Sequence, residues 1–279
     1  MSYADYKTIR IVTEGGAAWL TIDHPPLNVL DAELMPELDD FAARVARDET
    51  VDVIVFQSAD PDFFIVHGDM NFAIAPEAFL ALQLGEPGTE HLNPMMRLHE
   101  RIRALPQVTI GKLAGLARGG GAELFSALDM RFAAKGTAGL GQMEALVGII
   151  PGAGGTAYLP QLVGRARALE IITGARMFDA DLAEHYGWIN RALPADELDG
   201  FVDALARDIA GRAPGMARAA KRAVNAASPD LDAALDANNR LLGETFGVPR
   251  AGELARAALA AGAQTREGER VLETLLARL

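Results

Sequence analysis

Two short apolar runs, residues 8–12 and 17–22, flank Glu14, Gly15 and Gly16 and predict a strand pair that turns at the glycines and ends at Pro25 and Pro26. From Asp31, placed to cap the first amides, Leu34, Leu38, Phe41 and Val45 recur at helical spacing, with Pro36 near the first turn, where proline is best tolerated. Residues 52–57 then predict a buried strand. The alternation resumes with strand-like 108–113, helical 123–130, strand-like 131–134 and a strand-like apolar run over 145–150. Between Met70 and Arg97 the pattern is mixed and predicts a short helix flanked by loop, a kind of segment that can line a pocket and move. These alternations give an α/β class, or α+β with short strands. Beyond about residue 200 the text becomes Ala-rich, with helices expected near 201–211, 215–227, 231–245, 251–261 and 267–278. The organisation is therefore a 1–200 core followed by a 201–279 helical region, read as an assembly surface rather than the seat of chemistry.

Composition narrows the function classes. With 279 residues, half of them hydrophobic and 23% charged, the chain can bury a substantial core and is not a disordered protein. A formal charge of -12 counts against general affinity for nucleic acid or anionic membranes, though not against a small anion in a local pocket. The absence of cysteine removes disulfides, Cys–zinc sites and thiol nucleophiles from the inventory. The N-terminal residues lack the pattern of a secretory signal, and no uncharged apolar run is long enough to span a bilayer. A cytoplasmic protein is expected.

Chemistry concentrates around two glutamates. Glu123 follows the triple glycine Gly119–Gly121, and Glu144 follows Gly141 and precedes an apolar run. A helix starting at the triple glycine would aim free N–H groups and the positive end of its dipole at whatever lies above Gly120, with Glu123 in its first turn. A carboxylate beside exposed amides pairs proton transfer with anion stabilisation, although a first-turn acid and tightly packed glycines have an equally ordinary structural explanation. The stretch Pro151–Ala157 contains a GxGxxA pattern, but Pro160 and Gly164 interrupt the helix it would need, which disfavours a dinucleotide site. Histidines 24, 67, 91, 99 and 185 show no metal-ligand spacing, and no GxSxG occurs, so neither a metal site nor a serine hydrolase is expected. His67 sits at a strand–loop transition two residues before Asp69, and is read as a packed histidine bonded to Asp69 or to backbone.

Taken in order, Leu27–Leu30, Phe64–Met70, Gly115–Leu124, Asp129, Gly141–Glu144, Ile150–Thr156, Thr173 with Gly174, Ala183 and Gly187 resemble the hallmarks of the crotonase (enoyl-CoA hydratase/isomerase) superfamily over residues 8 to 193. The resemblance implies repeated ββα turns wound into a spiral and C-terminal helices that build trimers, often paired into hexamers. It implies an acyl-CoA thioester substrate, with no cofactor beyond the coenzyme A of that substrate, and a place in fatty acid metabolism or related breakdown. It maps two oxyanion-hole amides onto the N–H groups of Val66 and Gly120, and two hydratase glutamates onto Glu123 and Glu144. Glu123 would orient and deprotonate water, and Glu144 would deliver a proton to the α-carbon. His67, Gly68, Asp69 and Gly119 fall beside this site. Many relatives with other activities lack one glutamate, so the pair favours an enoyl-CoA hydratase over an isomerase, hydrolase, hydratase-lyase or non-catalytic thioester binder.

The chain also departs from the pattern. His67 and Gly68 stand where the family commonly has glycine and a small residue, Met143 replaces a frequent proline, and the span from Asp69 to Gly119 is longer than usual. The basic residues Arg97, Lys112 and Arg118 lie near the motifs, and none is assigned to the coenzyme A phosphates.

Overall fold

β1 (Ile9–Glu14) and β2 (Ala17–Ile22) pair antiparallel through Gly15 and Gly16, whose φ angles of 57° and 88° make the turn possible. This is the start of a computed structural model that describes residue 3 and residues 5–228, 230–246 and 248–279. Asp31 Oδ1 accepts from the amides of Glu33 and Leu34 and so caps α1 (Leu34–Val45), which buries Leu34, Leu38, Phe41 and Val45 as their spacing predicts.

Three ββα passes come next. β3 (Val53–Ser58) and β4 (Phe63–Ile65) lead through α2 (Pro76–Leu80) to α3 (Pro94–Arg103). β5 (Val108–Leu113) and β6 (Leu116–Arg118) lead to α4 (Gly120–Ala127), and β7 (Met130–Ala134) and β8 (Gly139–Gly141) lead to α5 (Gly155–Val163). α6 (Arg165–Gly174), β9 (Met177–Asp179), α7 (Ala180–Tyr186) and β10 (Arg191–Leu193) complete the strands. From β3 to β8 successive strands alternate between two sheets, one ordered β1-β2-β3-β5-β7-β10 and the other β4-β6-β8-β9. Because both sheets advance through parallel neighbours, each pass steps along the same axis, which is the spiral the sequence implied.

The helical region is α8 (Ala195–Ala210), α9 (Met216–Ala226), α10 (Asp232–Phe246), α11 (Pro249–Ala260), α12 (Arg266–Glu269) and α13 (Leu272–Leu276). The expected boundary at residue 200 falls inside α8, whose buried Leu198, Val202 and Ala206 pack against the larger sheet and belong to the core. Three further expectations change. The helix placed at 123–130, which starts at Gly120 as the triple glycine suggests, ends at Ala127, the run 145–150 forms a 3-10 turn over Glu144–Val147 instead of a strand, and Pro160 lies inside α5 without preventing it. The apolar pattern misses α3, although Asn93 followed by Pro94 is a start signal: the Asn93 side chain accepts from the amides of Met95 and Met96.

Candidate active site

The site lies where the carboxyl ends of β4, β6 and β8 meet. Parallel pairing sets Ile65 beside Ala117 and Arg118 beside Gly141, so the residues just beyond each strand become neighbours. Those residues are His67 with Gly68, then Gly119–Glu123, then Gln142–Glu144. Two glycines are obligatory there. A Cβ on Gly121 would stand 2.4 Å from the carbonyl oxygen of Ile65, and Gly119 adopts φ 47° with Glu144 Oε1 2.9 Å from its would-be Cβ. The glycines thus let α4 start against β4 and let a carboxylate come up beside its N-terminus.

A cleft of about 770 Å3, part of it open to solvent, runs over these residues. Its polar end holds His67, Gly68, Gly119, Gly120, Glu123 and Glu144. Its apolar walls come from Met70, Phe72, Phe79, Met95, Val147 and Ile149, and from Leu242, Phe246, Ala251 and Ala255 of α10 and α11. The C-terminal helices α10 and α11 therefore wall the acyl end of the site.

Both carboxyls are withdrawn from water, Glu123 at 1% and Glu144 at 8% exposure. Glu123 Oε1 accepts from the amides of Ala153 at 2.8 Å and Gly155 at 2.7 Å. The glycine loop that imitates a phosphate-binding motif is thus a cradle for a carboxylate. The loop is itself tied down, with the carbonyls of Pro151, Gly152 and Ala153 accepting from Asn238, Asn93 and His99. Burial pushes Glu123 up to about 7, the loop amides acting in the opposite sense. Glu144 is raised well above the ordinary glutamate range by burial and then by the charge of Glu123, and its offsetting contact is one backbone amide. The buried side-chain amide of Gln142, with its NH2 turned toward Glu144, donates to both carboxyl oxygens at 3.0 and 3.1 Å.

One expected donor has to be replaced. The Val66 N–H donates to the carbonyl of Asn28 at 3.0 Å, so it is committed to backbone pairing and does not serve the cleft. Gly68 takes its place. In the parallel bridge between Leu30 and Gly68, the bonds run from Leu30 N to His67 O and from Asp69 N to Leu30 O, which turns the Gly68 N–H away from that strand. The Gly68 nitrogen lies 3.5 Å from the position a Cβ on Gly120 would occupy. Gly120 keeps its expected place as the first residue of α4, whose N–H has no acceptor within the helix. The two amides face one corner of the cleft.

His67 is packed and bonded to backbone, as expected, and its second partner is Glu269 rather than Asp69. Nδ1 meets the carbonyl of Gly68 at 2.8 Å, and Nε2 meets Glu269 at 3.0 Å, while Asp69 instead accepts from Asn71 and Gln264. The three nearby bases are all engaged: Arg97 with the carbonyl of Leu82, Lys112 with Asp199 and Arg118 with Glu273. Among the described residues no cluster of three or more His, Cys, Asp or Glu could hold a metal, and no helix is long and apolar enough to cross a membrane.

The raised glutamates carry a stability consequence. A carboxyl whose folded pKa lies above its unfolded value binds its proton more tightly in the folded chain, so its contribution favours folding at low pH and is lost as pH rises through the folded pKa. For Glu123 that window runs from the ordinary glutamate range to about 7, and for Glu144 it extends higher. Glu144→Gln removes one of the two charges. Its melting temperature at pH 8 is expected to match or exceed the wild-type value, and the decline between pH 5 and 8 to be shallower, as thermal melts across that range will register.

The sequence profile described as enoyl-CoA hydratase/isomerase matches residues 13–253. The chain is 33% identical over 223 residues to a protein of Rhizobium meliloti named as a probable enoyl-CoA hydratase, covering 79% of this chain and 82% of that one. It is 30% identical over 243 residues to the crotonyl-CoA hydratase of Syntrophomonas wolfei, covering 86% and 90%. Among solved structures, a candidate enoyl-CoA hydratase from Streptomyces avermitilis superposes with a TM-score of 0.92 at 50% identity, covering 97% of each chain.

Proposed function

The chain belongs to the enoyl-CoA hydratase/isomerase family, and from that premise we propose that it is an enoyl-CoA hydratase, adding water across the double bond of a 2-enoyl-CoA thioester. The observation that carries this reading is the meeting, in one cleft, of two buried glutamates with raised pKa values and the Gly68 and Gly120 amides, which donate to no loop or turn carbonyl among the described residues. Hydration of an enoyl thioester builds enolate charge on the thioester oxygen, and the amides of Gly68 and Gly120 stabilise it in a site poor in water. Water loses a proton as it reaches the β-carbon, and the α-carbon gains one, so one group must be ionised and the other protonated.

The environments of the two glutamates divide these roles. Glu123, bonded to two amides, gives up its proton first and acts as the base; its Oε1 is held by the loop, so Oε2 is the oxygen that meets water. Glu144, pushed higher by burial and by the Glu123 charge, keeps the proton and delivers it to the α-carbon. The apolar walls beyond the glutamates receive the acyl group, and no cofactor beyond the substrate's coenzyme A enters the scheme. A cytoplasmic homotrimer or hexamer acting in fatty acid metabolism is the setting this reading carries with it.

Loss of absorbance of the conjugated thioester, followed over 2-enoyl-CoAs of increasing chain length, tests the proposal. Turnover on at least one member is expected. Tight binding without hydration at any length would overturn it in favour of a thioester-binding protein.

A further inference from the structure

Three buried side chains, His67 at the polar end of the cleft with Arg118 and Glu269 behind it, take no part in the proton transfers. His67, Arg118 and Glu269 are at most 3% exposed, yet they come from β4's continuation, the end of β6 and the C-terminal α12. A buried ion cluster is a poor source of net stability compared with apolar packing, so its placement calls for another explanation. The explanation lies in the neighbouring residues: His67 directly precedes Gly68, and Arg118 lies two residues before Gly120.

We propose that Glu269 is a positioning residue whose contacts with His67 and Arg118 latch together the two loops carrying the Gly68 and Gly120 amides, so that the C-terminal segment sets the geometry of the oxyanion hole. This rests on the hydratase reading of the same cleft. Glu269 Oε1 meets His67 Nε2 at 3.0 Å and accepts from the Gln264 amide at 2.7 Å. Its Oε2 lies 3.7 Å from Arg118 Nη1, and its backbone carbonyl accepts from Arg118 Nη2 at 2.9 Å. Arg118 Nε is held by Glu273 at 2.5 Å, and Gln264 Nε2 reaches Asp69, the residue after Gly68, at 2.9 Å. One short stretch, residues 264–273, thus grips both loops.

The strand ladder alone does not fix the spacing of the donors. Pairing of β4 with β6 is irregular and stops at Ile65, three residues short of Gly68. Beyond it, the Leu30 bridge holds Gly68 from one side and the latch holds it from the other. Both ring nitrogens of His67 face oxygen atoms, the Gly68 carbonyl at Nδ1 and the Glu269 carboxylate at Nε2, so the ring is pinned from two sides. Burial works against ionisation of Glu269, but His67, the Gln264 amide and Arg118 outweigh it and hold the carboxyl below its usual range.

The test reads the oxyanion hole directly. Butyryl-CoA labelled with 13C at the thioester carbonyl cannot be hydrated, and the infrared stretch of its bound carbonyl falls as the two amides polarise it. In wild type the bound band lies below that of free butyryl-CoA. In Glu269→Gln, and independently in His67→Gln, the band moves back toward the free position, and kcat on the best enoyl-CoA falls by about 10-fold or more with KM within about twofold, a displaced donor costing somewhat less than a deleted one. The double variant is no slower than the slower single, because the residues act as one unit. A wild-type band position and kcat in both single variants, or losses that merely track the folded fraction, would overturn the latch. Additive losses in the double variant would also overturn it. Should the wild-type chain hydrate no enoyl-CoA, the band position still decides whether the latch holds, so the two readings fail separately.

Discussion

Glu144→Gln is expected to lower kcat for hydration by about 1,000-fold while leaving KM within a few-fold of wild type, since positioned acid–base groups contribute about 100- to 10,000-fold. That loss corresponds to about 4 kcal/mol of barrier. The amide cannot release a proton to the α-carbon, yet it fills the same volume and can still bond to Gln142, which sits against both Glu144 oxygens in the wild type. Folding is retained, because the replaced carboxyl is one whose ionised form burial disfavours. The wild-type pH profile carries a linked expectation. Turnover needs Glu123 ionised while Glu144 stays protonated, so kcat/KM, which reports the ligand-free site, rises as pH climbs through about 7 and declines once the pair loses its second proton. Near-normal turnover in Glu144→Gln, measured by steady-state kinetics alongside a melt, would remove Glu144 from the proton path.

Much of this site is legible in the chain because its signals are local. The triple glycine announces a helix start beside a carboxylate, and α4 begins at Gly120 with Glu123 in its first turn. The strand pair at residues 8–22 and the amphipathic α1 come from period and caps. The misread residues depend on partners distant in sequence. Motif position gives Val66 the donor role, but whether an amide is free depends on its pairing, and Asn28 lies 38 residues away. The Gly152–Gly155 loop resembles an anion site, and it is one; the anion is the chain's own Glu123, 30 residues upstream of Ala153. Asp69 is the acid nearest to His67 in sequence, whereas the partner of the ring stands 202 residues on. The run 145–150 shows the remaining limit: an apolar hexamer lacks a period that separates strand from turn, and Gly148 with φ 76° closes it as a 3-10 turn.

Removing a donor from the oxyanion hole should cost nearly as much as removing the acid. Gly120 is the first residue of α4, the helical position where proline fits best because the N–H it lacks has no intrahelical acceptor. Gly120→Pro therefore deletes the donor without removing a helix bond, and the preceding Gly119 is the residue type most able to accept the restriction a proline imposes. A Cβ at this position would lie 2.8 Å from Met95 Sδ, so part of any effect is steric, and that part yields because Met95 is flexible at this end. Gly120→Ala isolates the Cβ part, since alanine adds the same Cβ and keeps the N–H, while butyryl-CoA affinity reports whether the proline Cδ, which takes the place of the amide hydrogen, blocks the corner. The expected result is a fall in kcat for Gly120→Pro about 100-fold or more beyond that of Gly120→Ala, in line with the loss of one oxyanion donor. Steady-state kinetics on the same enoyl-CoA, with butyryl-CoA affinity as a measure of site integrity, make the comparison. If alanine and proline variants slow equally, the Gly120 amide is not a donor to the enolate, and the stabilising charge must come from elsewhere in the cleft.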